Sequence, residues 1–359
     1  MKKLSAVLIA VGISSLALAS SAVAVTPYKW IQFNSKTHKP LVMAHQGGED
    51  EFPSNTMYAF KSAIAAGANS LELDIGVTAD NKIIVMHDTT VNRVTNGTGN
   101  VSSLTLAQIK ALDGAYWFSK TGENGNHYSH NLSTSAYVWR GVATGAKAAP
   151  KGFKRTDFQI STLDEVMKAF PKTPINIEIK GRTPTEATSE YTQNATVLAN
   201  YLKTSSRTDV VVVSFKQEAV DLFTTIATKI PTAPGIAGDL AFFWSSNPTA
   251  APKTVAFQVP NQYSISGTVI RDIANCGYIG MAHTRGYAWH QWFANEDIDG
   301  IGTGVRGTDG HFDGGWKYLL DRRVDGIMTA RPTALVKYMK TYKWDKASNY
   351  CKFKGGGGY

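Results

Sequence analysis

Short apolar runs rich in β-branched residues punctuate the chain at Leu41 to Ala44, Leu71 to Val77, Ile83 to Met86, Ile175 to Ile179, Val210 to Ser214, Ile236 to Leu240, Val255 to Val259, Ala288 to Phe293 and Gly326 to Thr329. Their length and side-chain type predict strands. Between many of them the pattern changes to a helical one, as in Asn55 to Ala66, Leu163 to Ala169 and Ala195 to Leu202. Strand and helix in alternation predict a mostly parallel sheet covered by helices. Eight or nine strands over this length favour an α/β (β/α)8 barrel of the TIM type over an open sheet.

One joint departs from that scheme. Only Thr78-Ala79-Asp80-Asn81-Lys82 separates Val77 from Ile83, whereas a parallel crossover needs about a dozen residues or more. The chain should turn back there, giving a barrel that is irregular after its second strand and lacks one helix. Two further stretches carry neither period. Residues 113 to 160, rich in Gly, Tyr, Trp and Lys, read as a long loop insertion of the kind that forms lids or binding surfaces; residues 300 to 316 form a second, glycine-rich loop.

The ends read differently from the body. Lys2 and Lys3, an apolar stretch and Ala22-Val23-Ala24 have the form of a signal peptide cleaved before Val25. Serines at 14, 15, 20 and 21 weaken the other reading, a membrane anchor. The expected organisation is therefore a signal peptide at 1–24, a barrel at 25–345 and a flexible, glycine-rich tail at 346–359. The product would be secreted or periplasmic, with no stable membrane anchor after cleavage.

Export changes how charge and cysteines are read. The net charge of +9 falls to +7 once Lys2 and Lys3 leave, since no acid leaves with them. A basic product suits an anionic substrate or surface as well as simple solubility, and without a run of five Lys/Arg a nucleic-acid partner is not expected. Cys276 and Cys351 are the two cysteines; an oxidising compartment permits a disulfide tying tail to body, and spacing alone leaves it open. The oligomeric state is also left open.

Candidate chemistry sits on the strands. Glu72 and Asp74 alternate with Leu71, Leu73 and Ile75, so both carboxylates share one strand face. A solvated acidic face would look the same. Inside a barrel the two acids would repel and desolvate each other, a conflict that a hard cation resolves. Glu178 and Lys180 repeat the arrangement in INIEIK, where a third acid for a metal and a cation for a phosphate would sit well, or a buried ion pair would suffice. Oxygen ligands without cysteine or clustered histidine indicate Ca²⁺ or Mg²⁺, not zinc. His45 and His87 each end an apolar strand. One such histidine is usually structural, but two beside carboxylate-bearing strands fit an acid and base pair.

The ordered set His45-Gln-Gly, Pro53-Ser-Asn-Thr56, Glu72-Leu-Asp74, His87-Asp88, Glu178-Ile-Lys180, Val213-Ser-Phe215, Trp292-Phe-Ala-Asn295 and Val324-Asp-Gly-Ile-Met-Thr329 resembles the glycerophosphodiester phosphodiesterase family, in its secreted bacterial form, from about residue 40 to 335. Each motif alone is weak; their order is specific. The resemblance implies a barrel with its site at the C-terminal strand ends, and one divalent cation, Ca²⁺ ahead of Mg²⁺, on Glu72, Asp74 and Glu178. It further implies His45 and His87 as acid and base, and Lys180, Gln46 and Trp292 on the substrate. The reaction implied is hydrolysis of a small glycerophosphodiester to glycerol 3-phosphate and an alcohol, through a cyclic phosphate made by the neighbouring glycerol hydroxyl.

Two positions depart from the family pattern. Gln46 stands where arginine usually follows the first histidine, and Ser54 where glutamate is usual. Loss of a guanidinium removes a bidentate phosphate contact, and the two changes read as one charge pair lost together. Gly47-Gly48 is expected to leave room for the phosphate. Tyr116, Trp117, Phe118, Tyr137 and Trp139 offer a head-group cage or, more simply, packing for the insertion. His127 and His130 read as exposed loop residues. The competing functions are a phospholipase D-like barrel acting on lysophospholipid or sphingomyelin head groups, and a surface binding protein that kept the fold.

Overall fold

A computed structural model describes residues 28–32, 39–123, 125–185, 189–245, 250–251, 253–265, 268–293, 299–301 and 315–344. Along the chain come β1 (Leu41–Ala44), α1 (Met57–Ala66), β2 (Ser70–Val77), β3 (Ile83–Val85), α2 (Leu106–Lys110), α3 (Leu163–Ala169), β4 (Ile175–Ile179), α4 (Thr192–Leu202), β5 (Val210–Val213), α5 (Gln217–Ile226) and α6 (Ile236–Trp244). Then follow β6 (Ala256–Pro260), β7 (Gln262–Ile265), β8 (Thr268–Arg271), α7 (Cys276–Thr284), β9 (Ala288–Trp292), α8 (Trp316–Asp321), β10 (Gly326–Thr329) and α9 (Pro332–Thr341).

Seven parallel strands run in the order β5-β4-β2-β1-β10-β9-β6. A short extended segment, residues 231–233, closes the gap between the two outer members. Val212 N donates to Pro231 O and Ala233 N to Val212 O, each at 3.0 Å, while Thr232 N donates to Lys253 O at 2.9 Å and Val255 N to Thr232 O at 3.0 Å. These make parallel bridges on both sides, so the barrel has eight staves. Closure leaves the eight staves themselves no open edge.

Two expectations are corrected here. Ile236 to Leu240 is not a strand but the start of α6, and the stave lies just before it at 231–233. A short apolar run is ambiguous between strand and buried helix; the helix continues the run through Ala241-Phe-Phe-Trp244, beyond the length of its neighbouring strands. The second concerns the joint after β2. The turn back is present, because β3 pairs antiparallel with β2, Ile75 opposite Val85 and Val77 opposite Ile83. The covering helix is not lost, however: α3 supplies it at the far end of the insertion, directly before β4. Thr162 caps α3, accepting from Glu165 N while Glu165 reaches back to the Thr162 backbone.

Alternation along the staves decides what fills the barrel. Val42 and Ala44, Leu71, Leu73 and Ile75, Ile175, Ile177 and Ile179, and Val210 and Val212 belong to the layer between sheet and helices. The intervening positions face inward, where Leu41, Met43, Val211, Val213, Ala233, Ala256, Ala288 and Met328 form a separate apolar cluster with Trp30. Trp30 is 3% exposed and its indole lies 5.8 Å from the His290 ring. Just after it, Gln32 N donates to Asp325 Oδ1 at 2.7 Å. The segment 28–32 thus stoppers the end of the barrel where the strands begin. The insertion is not loose: Phe118, Tyr128 and Ile160 pack with Ile84 and Val101 in one cluster, and Val142, Ala143 and Phe158 pack with Tyr58 in another.

The expected signal peptide (1–24), the expected C-terminal tail and most of the glycine-rich loop lie outside the described residues. Cys276 is disulfide-bonded; Cys351, its expected partner, also lies outside them. No helix among the described residues is long and apolar enough to cross a membrane.

Candidate active site

The inward face that carries Leu41 and Met43 on β1 continues, two residues on, to His45. On β2 the same face holds Glu72 and Asp74, and on β4 Asn176 and Glu178, with Lys180 next. Register brings them level, since Glu72 pairs with Asn176 and Asp74 with Glu178. β3 explains how His87 joins them. Because it runs back along β2, Met86 N reaches Asp74 O at 3.0 Å, and His87 is returned to the carboxylates instead of being carried away from the barrel mouth. The residues converge on one cavity of about 570 Å³ lined by His45, Gln46, Glu72, His87, Glu178, Lys180 and Trp292, among others.

Glu72, Asp74 and Glu178 each present an oxygen within 4.8 Å of the others. Glu72 is 2% exposed and Asp74 fully buried. Burial, and next the charge of Asp74, push the Glu72 carboxyl up to about 8; burial also raises Glu178, against the pull of Lys180. Asp74 Oδ1 is buried and accepts no hydrogen bond, with Lys180 Nζ 3.5 Å away. Three acids held together against their own repulsion, one with an unused oxygen, fit a hard divalent cation. Lys180 Nζ donates to Glu178 Oε1 at 2.9 Å. Burial would lower the Lys180 ammonium, but Glu178 and Asp74 outweigh it and raise it.

Each histidine is held by an acid. His45 Nδ1 lies 2.8 Å from Glu49 Oε1, and its Nε2 lies 3.9 Å from Glu72 Oε2. Burial works against its charge, yet Glu72 and Glu49 prevail and raise it to about 10. Burial opposes the charge on Glu49 too, and His45 carries that carboxyl down to about 2. His87 Nδ1 lies 2.8 Å from Asp88 Oδ1. Asp88 is itself gripped by Arg93, whose Nε and Nη2 donate at 2.8 and 3.0 Å. Burial raises the Asp88 carboxyl, but the bonds from His87 and Arg93 win and hold it below the usual range. The sequence reading missed Glu49 and Arg93. Glu49 carries a weak signal, an acid four residues beyond a strand-end histidine; Arg93 has none short of the fold.

Gln46 and Ser54 touch. Ser54 Oγ donates to Gln46 Oε1 at 2.6 Å, and Ser54 N donates to the Tyr128 hydroxyl of the insertion at 2.6 Å. Gln46 has φ 49, and its backbone N–H donates to Glu72 Oε2 at 2.9 Å. Gly47-Gly48 has a reason of its own in the fold. Both have positive φ, and a Cβ would meet Ala59 Cβ at 2.8 Å from Gly47 and Pro332 Cγ at 2.6 Å from Gly48. Close approach of α1 and α9 requires these glycines.

The insertion aromatics are occupied by the protein itself. The Arg140 guanidinium lies 4.1 Å from the Tyr116 ring, 4.6 Å from Trp117 and 4.0 Å from Tyr137, so these rings pack the insertion and offer no cage. His130 is exposed and stacks on Trp117 at 3.9 Å. His127 is half-buried, its Nδ1 2.7 Å from Ser119 O. Trp292 lines the cavity, stacked on Phe215 at 5.4 Å.

Residues 45–334 match the model of the glycerophosphoryl diester phosphodiesterase family. The chain belongs to this family. Among its relatives, a glycerophosphodiester phosphodiesterase of Bacillus subtilis is 26% identical over 305 residues, 84% of this chain and 87% of that protein. One from Caldanaerobacter subterraneus is 46% identical over 82 residues, 23% of this chain and 34% of that relative. Two solved structures share the fold. The glycerophosphoryl diester phosphodiesterase domain of a Mycobacterium tuberculosis protein matches with a TM-score of 0.53 and 15% identity, covering 84% of this chain and 99% of that one. An Oleispira antarctica phosphodiesterase in complex with the product sn-glycerol-3-phosphate matches with a TM-score of 0.53 and 16% identity, covering 84% and 97%.

Proposed function

We propose that this family member hydrolyses small glycerophosphodiesters to glycerol 3-phosphate and an alcohol, with a divalent cation on Glu72, Asp74 and Glu178. The convergence of these three acids with two acid-anchored histidines and Lys180 on one cavity carries the reading. The product named for the Oleispira structure supports the substrate class. Such a cation, Ca²⁺ ahead of Mg²⁺ because irregular carboxylate sets suit calcium, would polarise the phosphoryl oxygen and offset its charge.

The chain's own groups do the rest. His87, its Nδ1 engaged by Asp88, has Nε2 left to take the proton from the glycerol hydroxyl as that oxygen bonds to phosphorus. His45, its Nδ1 engaged by Glu49, gives the proton on Nε2 to the departing alcohol as the old P–O bond breaks. Water then opens the cyclic phosphate with the two roles exchanged. An internal nucleophile removes much of the entropic barrier. Lys180 and the Gln46 amide face the phosphate, and Trp292 the substrate's carbon skeleton. Export by cleavage before Val25 belongs to the same reading.

The test is release of glycerol 3-phosphate from a panel of glycerophosphodiesters. Release should stop with chelator and return with Ca²⁺ more fully than with Mg²⁺. No release from any diester with either cation overturns the proposal.

A further inference from the structure

Asp239 has no role in the reaction above, yet it borders the same cavity. It sits in the first turn of α6, the helix that follows the short closing stave. Its side chain is 2% exposed, and Oδ1 is fully buried without a hydrogen-bond partner. Among the described residues no ion pair reaches it. It also borders a second, smaller cavity lined by Leu240, Phe243, Trp244, Val259, Ile273 and Tyr278, none of which carries a charge. Burial alone pushes its carboxyl well above the usual range.

The helix is pinned where it is. Ile236 N donates to Phe215 O at 3.2 Å, and Gln217 Oε1 accepts from Gly235 N at 2.9 Å. A Cβ at Gly235 would lie 2.7 Å from Gln217 N and 2.9 Å from Ser214 O, so backbone meets backbone there. The first turn of α6 is therefore a fixed wall of the cavity, on the β5 side that also presents Phe215 and the Trp292 stacked on it. Burying an acid with no donor costs stability. The cost is recovered when a positive group fills the cavity beside it, since a desolvated cation and carboxylate attract strongly. Phe215 is already faced by Lys180 Nζ at 5.3 Å, so Trp292 is the ring on this wall that would favour an alkylated cation.

We infer that Asp239 is the head-group site of the cavity, taking the cationic alkylammonium of a diester such as glycerophosphocholine while the phosphate lies over the carboxylate cluster. The insertion rings cannot serve instead, because Arg140 already fills them. The inference rests on the proposed hydrolysis and adds its substrate class.

The probes are glycerophosphocholine, its uncharged isostere with a 3,3-dimethylbutyl head group, and glycerophosphoglycerol, each assayed for glycerol 3-phosphate release with metal present. The parent should prefer choline over the isostere in kcat/KM by about tenfold or more, the range of a buried charge contact. Asp239→Asn should bring that ratio near one while leaving glycerophosphoglycerol within about twofold, the scale of an unperturbed contact. A parent that treats choline and the isostere alike overturns the inference without reference to any variant. So does an Asp239→Asn protein that loses all three substrates equally. A parent inactive on every diester fails the proposed hydrolysis itself.

Discussion

At the scale of single residues, Gln46 stands where the resemblance leads one to expect arginine, and its groups are engaged within the protein. Its carbonyl oxygen is committed to Ser54 and its backbone to Glu72. An arginine placed there would have no acid at residue 54 to receive it and would bring a cation toward His45. Gln46→Arg alone should therefore leave kcat/KM unchanged or lower it by up to about tenfold, one misplaced charge contact being of that order; an increase would sink the idea that positions 46 and 54 changed together. The acids, the histidines and Lys180 were legible in the sequence because strand alternation places every second residue on one face. Glu49, Arg93 and Asp239 were not, since a loop turn, a bidentate bond and a helix wall have no period to read.

Elements show where pattern reading succeeds and where it stops. The barrel strands long enough to alternate were found to within a residue or two of their ends, but the antiparallel hairpin β7–β8 was not read at all. The stave at 231–233 was missed because Pro-Thr-Ala is too short to show a period and opens with a residue usually foreign to strands. β10 carries a sharper constraint. A Cβ on Gly326 would lie 2.8 Å from Met43 Sδ and 2.9 Å from His290 Cδ2, so three staves meet where only hydrogen fits. Gly326→Ala should destabilise the fold by about 1–3 kcal/mol, the cost of overpacking a filled core. A thermal melt unchanged by the substitution would show that β1 and β9 give way freely.

For the molecule as a whole, the barrel floor is a part sensitive to mild acid. His290 is fully buried there, and burial holds its pKa down to about 4, against an ordinary value of 6.5. Below pH 6.5 the unfolded chain takes up a proton that the folded chain refuses until about pH 4. Stability should therefore fall as pH drops through that window, by about 3 kcal/mol from this group. Urea midpoints across the window measure it, and His290→Gln should flatten the slope; an equal slope in the variant would assign the loss to other groups. The same floor joins the first stave to the last. β1 lies between β2 and β10, and Gln32 is bonded to Asp325, so the first stave synthesised waits for the last before the ring can shut. A ribosome-bound chain halted before Gly326 has an open cylinder and no seat for its Trp30 stopper. Closure of the ring therefore cannot precede delivery of Gly326–Thr329, and until then β1 has one of its two neighbours missing.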